Sequence, residues 1–412
     1  MSERLPRDAA LVCGAGAIRA AAVSLVGVII AIHLASRGLS TASVGLVIGV
    51  GIAASAAGTV IAGLRADSWG RRRTLIAVGV LTGLGYIAVV IAPSLPLLAA
   101  IAVITMMNGM GRDRGPASAL EQAVLPATVS DDRRTWTMAW YNAAIDSGHA
   151  VGALGAALPT LLTRRFALSS DTAHAATFAL CGAAVIVSTL LYLLIDPRVD
   201  RTNATRAFGR GTHVDRDTRR TVGKLTLLFG IDSIGGGFLN AALVAYWFFE
   251  RYGTTEVQLA GLFFVARTLN VVSHLAAAWL ARRIGLVNTM VFTHLPSSIF
   301  LMLAPAAPTM TTAAALFLAR EALVEMDVPT RQSYVMAVVP PSARTYASGM
   351  TNVTRNAGWA VGPLLGGAVM QQLTLAAPLF IGGALKIVYD IALYRSFRHI
   401  RPPEESSRAQ QT

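Results

Sequence analysis

Twelve apolar stretches, each near the roughly 20 residues that an α-helix needs to cross a bilayer, divide this 412-residue chain. They run over 11–35, 42–64, 74–92, 96–125, 135–162 and 174–195, and after a polar gap over 221–249, 256–281, 286–304, 309–338, 345–372 and 376–395. In hydrocarbon the backbone has to satisfy its own hydrogen bonds, and spanning strands would read as short alternating segments. The pattern therefore predicts an all-α membrane protein. Connections such as Ala92-Pro93-Ser94-Leu95-Pro96 leave no room for a soluble domain. Charged residues make up only 14% of the chain, against about a quarter in a soluble domain. Disordered, disulfide-stapled and ordinary soluble enzyme classes are excluded. The first stretch is longer than a signal-peptide core and carries Arg19, so it is read as a retained helix.

The formal net charge is +13, but the basic residues lie between apolar runs rather than along one soluble face. This points to anionic lipid headgroups as a partner and away from nucleic acid. Arg4/Arg7, Arg65/Arg71/Arg72/Arg73, Arg133/Arg134, Arg282/Arg283 and Arg395/Arg398/Arg401 gather at the termini and the even-numbered loops. By the positive-inside rule both termini are expected to be cytoplasmic, in a multi-pass protein of the cell inner membrane. The predicted organisation is a six-helix bundle over 1–195, a cytoplasmic linker over 196–220, a second six-helix bundle over 221–397 and a cytoplasmic tail over 398–412.

The chain repeats itself. Arg134-Thr135-Trp136, Asn142, Gly148 and Ala150-Val151-Gly152 recur 210 residues later as Arg344-Thr345-Tyr346, Asn352, Gly358 and Ala360-Val361-Gly362. Two related halves predict a cleft at mid-membrane, where repeat-built transporters place their substrate. Between the second and third stretches stands Gly63-Leu64-Arg65-Ala66-Asp67-Ser68-Trp69-Gly70-Arg71-Arg72-Arg73. This matches the loop pattern G-x-x-x-D-x-x-G-R-R, and with the six-plus-six layout the chain resembles the major facilitator superfamily over about residues 10–397. The resemblance implies two pseudo-symmetric six-helix bundles that alternate access. A second family pattern, G-x-x-x-G-P-x-x-G-G, is associated with proton-coupled exporters when it sits in the fifth span. Here its full form, Gly358 to Gly367, falls in the eleventh, and the fifth holds a weaker version through Gly148, Gly152 and Gly155.

Gly63 is expected to allow close helix approach and Gly70 a tight turn. By resemblance Asp67 docks at the start of the eleventh span, beside Arg344, when the cytoplasmic side is closed. In the second half Arg282 and Arg283 replace the acidic residue, and the fifth span starts at Asp131 and Asp132. The two loops thus predict cytoplasmic latches of exchanged charge. The alternative is that Arg282 and Arg283 anchor to headgroups.

Ionisable groups inside a bilayer are functional candidates. For the substrate cleft or ion coupling these are Arg19, Asp232, Asp146, His149, Arg355, Asn142 and Asn240. Asp232 is expected to carry a proton, Asp146–His149 to form a relay, and Arg19 or Arg355 to hold an anionic group. Arg112, Asp113, Arg114, Glu121, Arg320, Glu321, Glu325, Asp327 and Arg331 form an expected intramembrane polar cluster with a gating role. Lys386 and Asp390, spaced i, i+4, are expected to pair. The seven histidines and two cysteines show no metal-ligand spacing, and no G-x-x-x-x-G-K-[ST] is present. The expectation is a monomeric secondary transporter of a small solute, without cofactor or metal and driven by protons. Efflux of drug-like compounds is preferred over uptake of an organic anion. A lipid-acting enzyme and a transporter-like sensor are the alternatives from other classes.

Overall fold

The computed structural model describes residues 5–129, 134–196, 215–340 and 343–400. The described residues form sixteen α-helices, with brief 3-10 segments among them. The first half contributes α1 (Arg7–Ser36), α2 (Thr41–Trp69), α3 (Arg71–Ile91), α4 (Leu95–Ile104), α5 (Pro116–Val124), α6 (Arg134–Gly155), α7 (Leu158–Phe166) and α8 (Ser170–Leu190). The second contributes α9 (Arg216–Phe238), α10 (Ala241–Tyr252), α11 (Glu256–Ile284), α12 (Leu286–Leu303), α13 (Met310–Val324), α14 (Asp327–Val338), α15 (Arg344–Gln372) and α16 (Ala377–Phe397).

Eight helical segments among the described residues are long and apolar enough to cross a membrane. The other four expected spans are interrupted or more polar. The stretch predicted as one helix over 96–125 breaks between α4 and α5, where Met106 and Gly111 take positive φ and Pro116 opens the next helix. Buried irregular backbone needs replacement partners at this depth, and side chains supply them. Asn108 donates through Nδ2 to the Arg112 carbonyl at 2.7 Å and accepts the Met110 amide at 2.8 Å. The Asp113 amide donates to His149 Nε2 at 2.8 Å, and the Ala241 amide donates to the Met110 carbonyl at 3.4 Å. A second break separates α9 from α10 after Gly235-Gly236-Gly237, and Asn240 caps α10 by accepting the Leu243 amide at 3.0 Å. The remaining breaks, α6/α7 and α13/α14, are followed by Pro159 and Pro329 in the first turn of the next helix.

Two compact units emerge. The first lies within Met1–Thr205, Asn240–Phe264 and Pro363–Gln372, and the second within Arg206–Leu239, Val265–Gly362 and Leu373–Thr412. In each unit the repeated glycines perform the same packing task. In the first, a Cβ at Gly148 or Gly152 would overlap the backbone of Ala17 or Ala21, so α6 lies directly on α1. In the second, Gly358 and Gly362 bring α15 onto Ser233, Ile234 and Gly237 of α9. Small residues that let helix backbones touch are the usual device of membrane packing, where lipid tails remove the hydrophobic drive between helices. Gly70 has φ 90° and makes the turn between α2 and α3. Gly63, expected to bring helices together, faces open space, with no described atom within 4 Å of an added Cβ. It lies on an exposed face of α2.

Gly152→Val and Gly362→Val should each lower the thermal unfolding midpoint of the purified protein, at about 1–3 kcal/mol or more for forced backbone separation. Gly63→Ala should change stability by less than about 0.5 kcal/mol. Thermal melts in detergent measure all three.

Candidate functional site

Arg19 sits on α1 with 4% of its surface exposed, among apolar neighbours that leave its guanidinium no water. Its charge is met by carboxylates from the fourth predicted span. Nε donates to Asp113 Oδ2 at 2.8 Å, Nη1 to Glu121 Oε1 at 3.0 Å, and Nη2 to Glu121 Oε2. Tyr192 and Tyr141 complete the shell, their hydroxyls donating to Glu121 Oε1 at 2.5 Å and Oε2 at 2.9 Å. Each Glu121 oxygen therefore accepts two hydrogen bonds, the full capacity of a carboxylate. Gly16 makes this possible, since a Cβ there would stand 3.2 Å from both Glu121 oxygens. Asp113 stands on the unwound stretch before α5 and shares the single guanidinium with Glu121. Among these contacts the cluster has one more carboxylate than cation.

His149 continues the network. Its Nε2 accepts the Asp113 amide, which leaves the ring proton on Nδ1 if the imidazole is neutral, and Nδ1 lies 3.9 Å from Asp146 Oδ1. The Asp146 side chain is 39% exposed and that of His149 only 9%. The pair thus runs from accessible surface toward Asp113.

The second unit holds a larger network. Asp232 on α9 accepts from Lys386 Nζ at 2.7 Å and from Arg331 Nη1 at 3.0 Å. Arg331 also pairs with Asp327 at 2.6 Å and lies over the Phe229 ring. Lys386 does not pair with Asp390 as expected. His294 stands between them, with Nδ1 at 2.9 Å from Asp390 Oδ1 and Nε2 at 3.3 Å from Lys386 Nζ. The nearer Asp232 carboxylate and the interposed ring override the i, i+4 spacing. This network too has one more carboxylate than cation if His294 is neutral, and all of its members are buried.

The expected polar cluster is thus divided. Asp113 and Glu121 join Arg19, while Asp327 and Arg331 join Asp232. Glu321 pairs with neighbouring Arg320 and accepts from Asn270 at 2.8 Å, and Glu325 meets His274 at 3.2 Å. Arg112 and Arg114 are partly buried beside Asp113 in sequence. Asn142 is exposed on α6, and Asn240 is used as a helix cap. Arg355 lies with its Cζ 4.6 Å from the Trp359 ring centre. Of the expected gate residues, Arg71 is buried and donates to the Ala123 carbonyl at 3.1 Å. Arg344 donates to the Met336 carbonyl at 2.9 Å. Arg282 and Arg283 are exposed, Arg283 over the Trp279 ring at 4.3 Å. Asp67 lies in α2, and Asp131 and Asp132 fall outside the described residues. Sequence reasoning missed Tyr192 and His294 as network members. A hydroxyl and an imidazole in otherwise apolar spans were the available signal.

Arg19→Met should destabilise the protein by about 3–5 kcal/mol, because it leaves two buried carboxylates without their cation. The triple variant Arg19→Met/Asp113→Asn/Glu121→Gln should recover most of that loss in a thermal melt.

Comparison with known proteins agrees with this architecture. The family model described as Major Facilitator Superfamily matches residues 12–324 and 225–412. The chain is 24% identical over 361 residues, 80% of each protein, to the uncharacterized membrane protein YJR124C of Saccharomyces cerevisiae. Its fold superimposes on a variant of the nucleoside transporter NupG with TM-score 0.77 at 12% identity, covering 94% of this chain and 99% of that one. The inward-open xylose transporter XylE from E. coli gives TM-score 0.68 at 14% identity over 93% and 94%. The human organic anion transporter MFSD10 gives 0.60 at 17% identity over 94% and 99%. With its loop motif, its internal repeat and the all-helical membrane fold, the chain belongs to the major facilitator superfamily and is a secondary transporter rather than an enzyme.

Proposed function

We propose that this transporter couples solute movement to protons and exports small, weakly charged, drug-like compounds by alternating access. The observation that supports the coupling is that Asp113 and Glu121 meet on the one guanidinium of Arg19, while Asp232, Asp327 and Asp390 meet Lys386, Arg331 and the titratable ring of His294. A proton bound at such a site changes its net charge. An uncompensated charge in hydrocarbon is costly, so proton binding and conformational preference are linked. In the first unit the group suited to this is Asp113. Glu121 has every lone pair engaged, whereas Asp113 competes for one guanidinium and lies on irregular backbone that can rearrange. The Asp146–His149 pair offers the proton a way in, since histidine changes charge near neutral pH. Asp232 touches two cations, which supports a structural role for it in place of the carrier role expected from sequence.

The cargo reading rests on the same pairing. Arg19 and Arg331 are each matched by carboxylates of their own unit, so neither offers an unengaged cation to an organic anion. A second reading, uptake of an organic anion, draws on Arg355 stacked over Trp359 and on the likeness to the human organic anion transporter. We further infer a monomer in the cell inner membrane with both termini cytoplasmic and the halves 1–195 and 221–397 as the alternating bodies. The charge bias of the loops and the 210-residue repeat support this.

Reconstituted protein with an internal pH dye and a panel of cationic dyes, neutral drugs, nucleosides, sugars and organic anions tests both readings. Substrate addition should shift internal pH for weakly charged drugs. Asp113→Asn should reduce gradient-driven flux by about tenfold or more while keeping substrate counterflow, the pattern of a lost coupling site. Coupled flux unchanged in Asp113→Asn would remove the assignment, and a response confined to organic anions would favour the second reading.

A further inference from the structure

A third group of titratable side chains lies apart from both networks. His174, near the start of α8, stands with Nε2 2.6 Å from Glu256 Oε1 in the first turn of α11. Thr160 of α7 donates to the other Glu256 oxygen at 2.8 Å. On its far side the His174 ring bonds through Nδ1 to the Ser170 carbonyl at 2.8 Å. A carbonyl oxygen only accepts, so Nδ1 carries a proton. The close Nε2–Oε1 contact needs a proton of its own, because a bare ring nitrogen and a carboxylate oxygen repel. The pair therefore keeps one proton at this contact, as imidazolium beside carboxylate, in an ion pair whose Nε2–H does not line up with Oε1 as a hydrogen bond.

The surroundings make that proton decisive. His174 and Glu256 are 5% and 8% exposed. His33 of α1, 2% exposed, stacks on His174 with ring centres 5.3 Å apart and planes at 23°, and neither of its ring nitrogens has a hydrogen-bond partner. A proton on His33 would set two cations face to face, so the stack favours a neutral His33. Two other charges act here. Arg37, beyond His33, is held by the carbonyls of Val89 and Ala92, and Asp171 lies on α8 itself.

The cluster also sits where it can control something. In the first unit the 240–264 segment consists of α10 and the start of α11, and α10 packs on α1. The His174–Glu256 and Thr160–Glu256 contacts join that segment to α8 and α7, at the end of the helices opposite the loop that carries Gly70. We propose that the His174 Nε2 proton facing Glu256 is a latch holding the start of α11 against α7 and α8, and that its loss releases this end of the transporter. Removing it leaves the Nε2 lone pair facing the carboxylate. Adding a second proton leaves a buried imidazolium beside a neutral acid. The latch is thus strongest at intermediate pH and sets a pH window for opening, distinct from the protons coupled at Asp113. The proposal rests on the alternating-access reading for its consequence, though not for its test.

The full-length chain in nanodiscs provides that test. Cys13→Ala and Cys181→Ala remove the native thiols, and Phe166→Cys with Val257→Cys places spin labels at exposed positions on α7 and α11. Pulsed EPR should give a narrow, short label separation at about pH 6.5, with the closed population falling about tenfold by about pH 9. In Glu256→Gln and His174→Gln the new amide can donate to or accept from whichever group remains, so the contact no longer depends on the charge state of an imidazole–carboxylate pair. Both should stay closed at every pH, whereas Glu256→Ala should be open throughout. A pH response that survives in either glutamine variant, or its absence in the parent, overturns the proposal. The readout needs neither substrate nor gradient, so failed transport with an intact pH response would count against the transport reading alone.

Discussion

The cost of an unmatched charge in hydrocarbon organises this molecule. Arg19 can occupy the interior of the first unit only because Asp113 and Glu121 reach it. Those two residues lie eight positions apart, on an irregular stretch and a short helix. A straight helix would turn through more than two turns between them. The break between α4 and α5, with its positive-φ Gly111 and its capped, side-chain-satisfied backbone, places both acids on one guanidinium. The helix interruption and the charge network are therefore one solution to one problem. The second unit solves it with different residues, threading His294 between Lys386 and Asp390 and joining Lys386 to Asp232, which Arg331 also reaches.

Rigid packing frames these networks. The glycines that recur at a spacing of 210 residues let α6 lie on α1 and α15 lie on α9, backbone against backbone. Tight contacts of this kind have few intermediate arrangements, because the closest atoms cannot be compressed. The boundaries of the compact units include Leu239–Asn240, between α9 and α10, and Gly362–Pro363 inside α15. Pro363 lacks the amide that would bond to the preceding turn, so α15 is weakened at that point.

Charge matching also separates roles among residues of the same type. Glu121 has all its lone pairs engaged by Arg19, Tyr141 and Tyr192 and acts as an anchor. Asp113 shares its partner and stands on the irregular stretch before α5. Glu256 is tied to a histidine and a threonine, away from any guanidinium contact of the kind that holds Glu121. Three acidic residues in one unit thus differ in the partners that hold them, and those partners come from distant parts of the chain.

The all-helical membrane fold was legible in the amino-acid sequence because hydrocarbon admits so few alternatives and because apolar runs of spanning length are an unambiguous signal. The superfamily was legible in Gly63 to Arg73, and the duplication in the matched glycines. The interruptions were legible only in part. Gly111, Pro116 and Asn240 are visible as breakers, but apolar flanks made 96–125 and 221–249 read as unbroken. Partnerships between distant helices were not legible. The i, i+4 spacing of Lys386 and Asp390 suggested a pair, and only the approach of α9 and α12 showed that Asp232 and His294 lie closer. His33, His174 and Glu256 are spread over more than two hundred positions, on three different helices, and share no spacing. Local sequence determines which segments can be helices in lipid, whereas charge pairing depends on distances between helices, and those are set by packing alone.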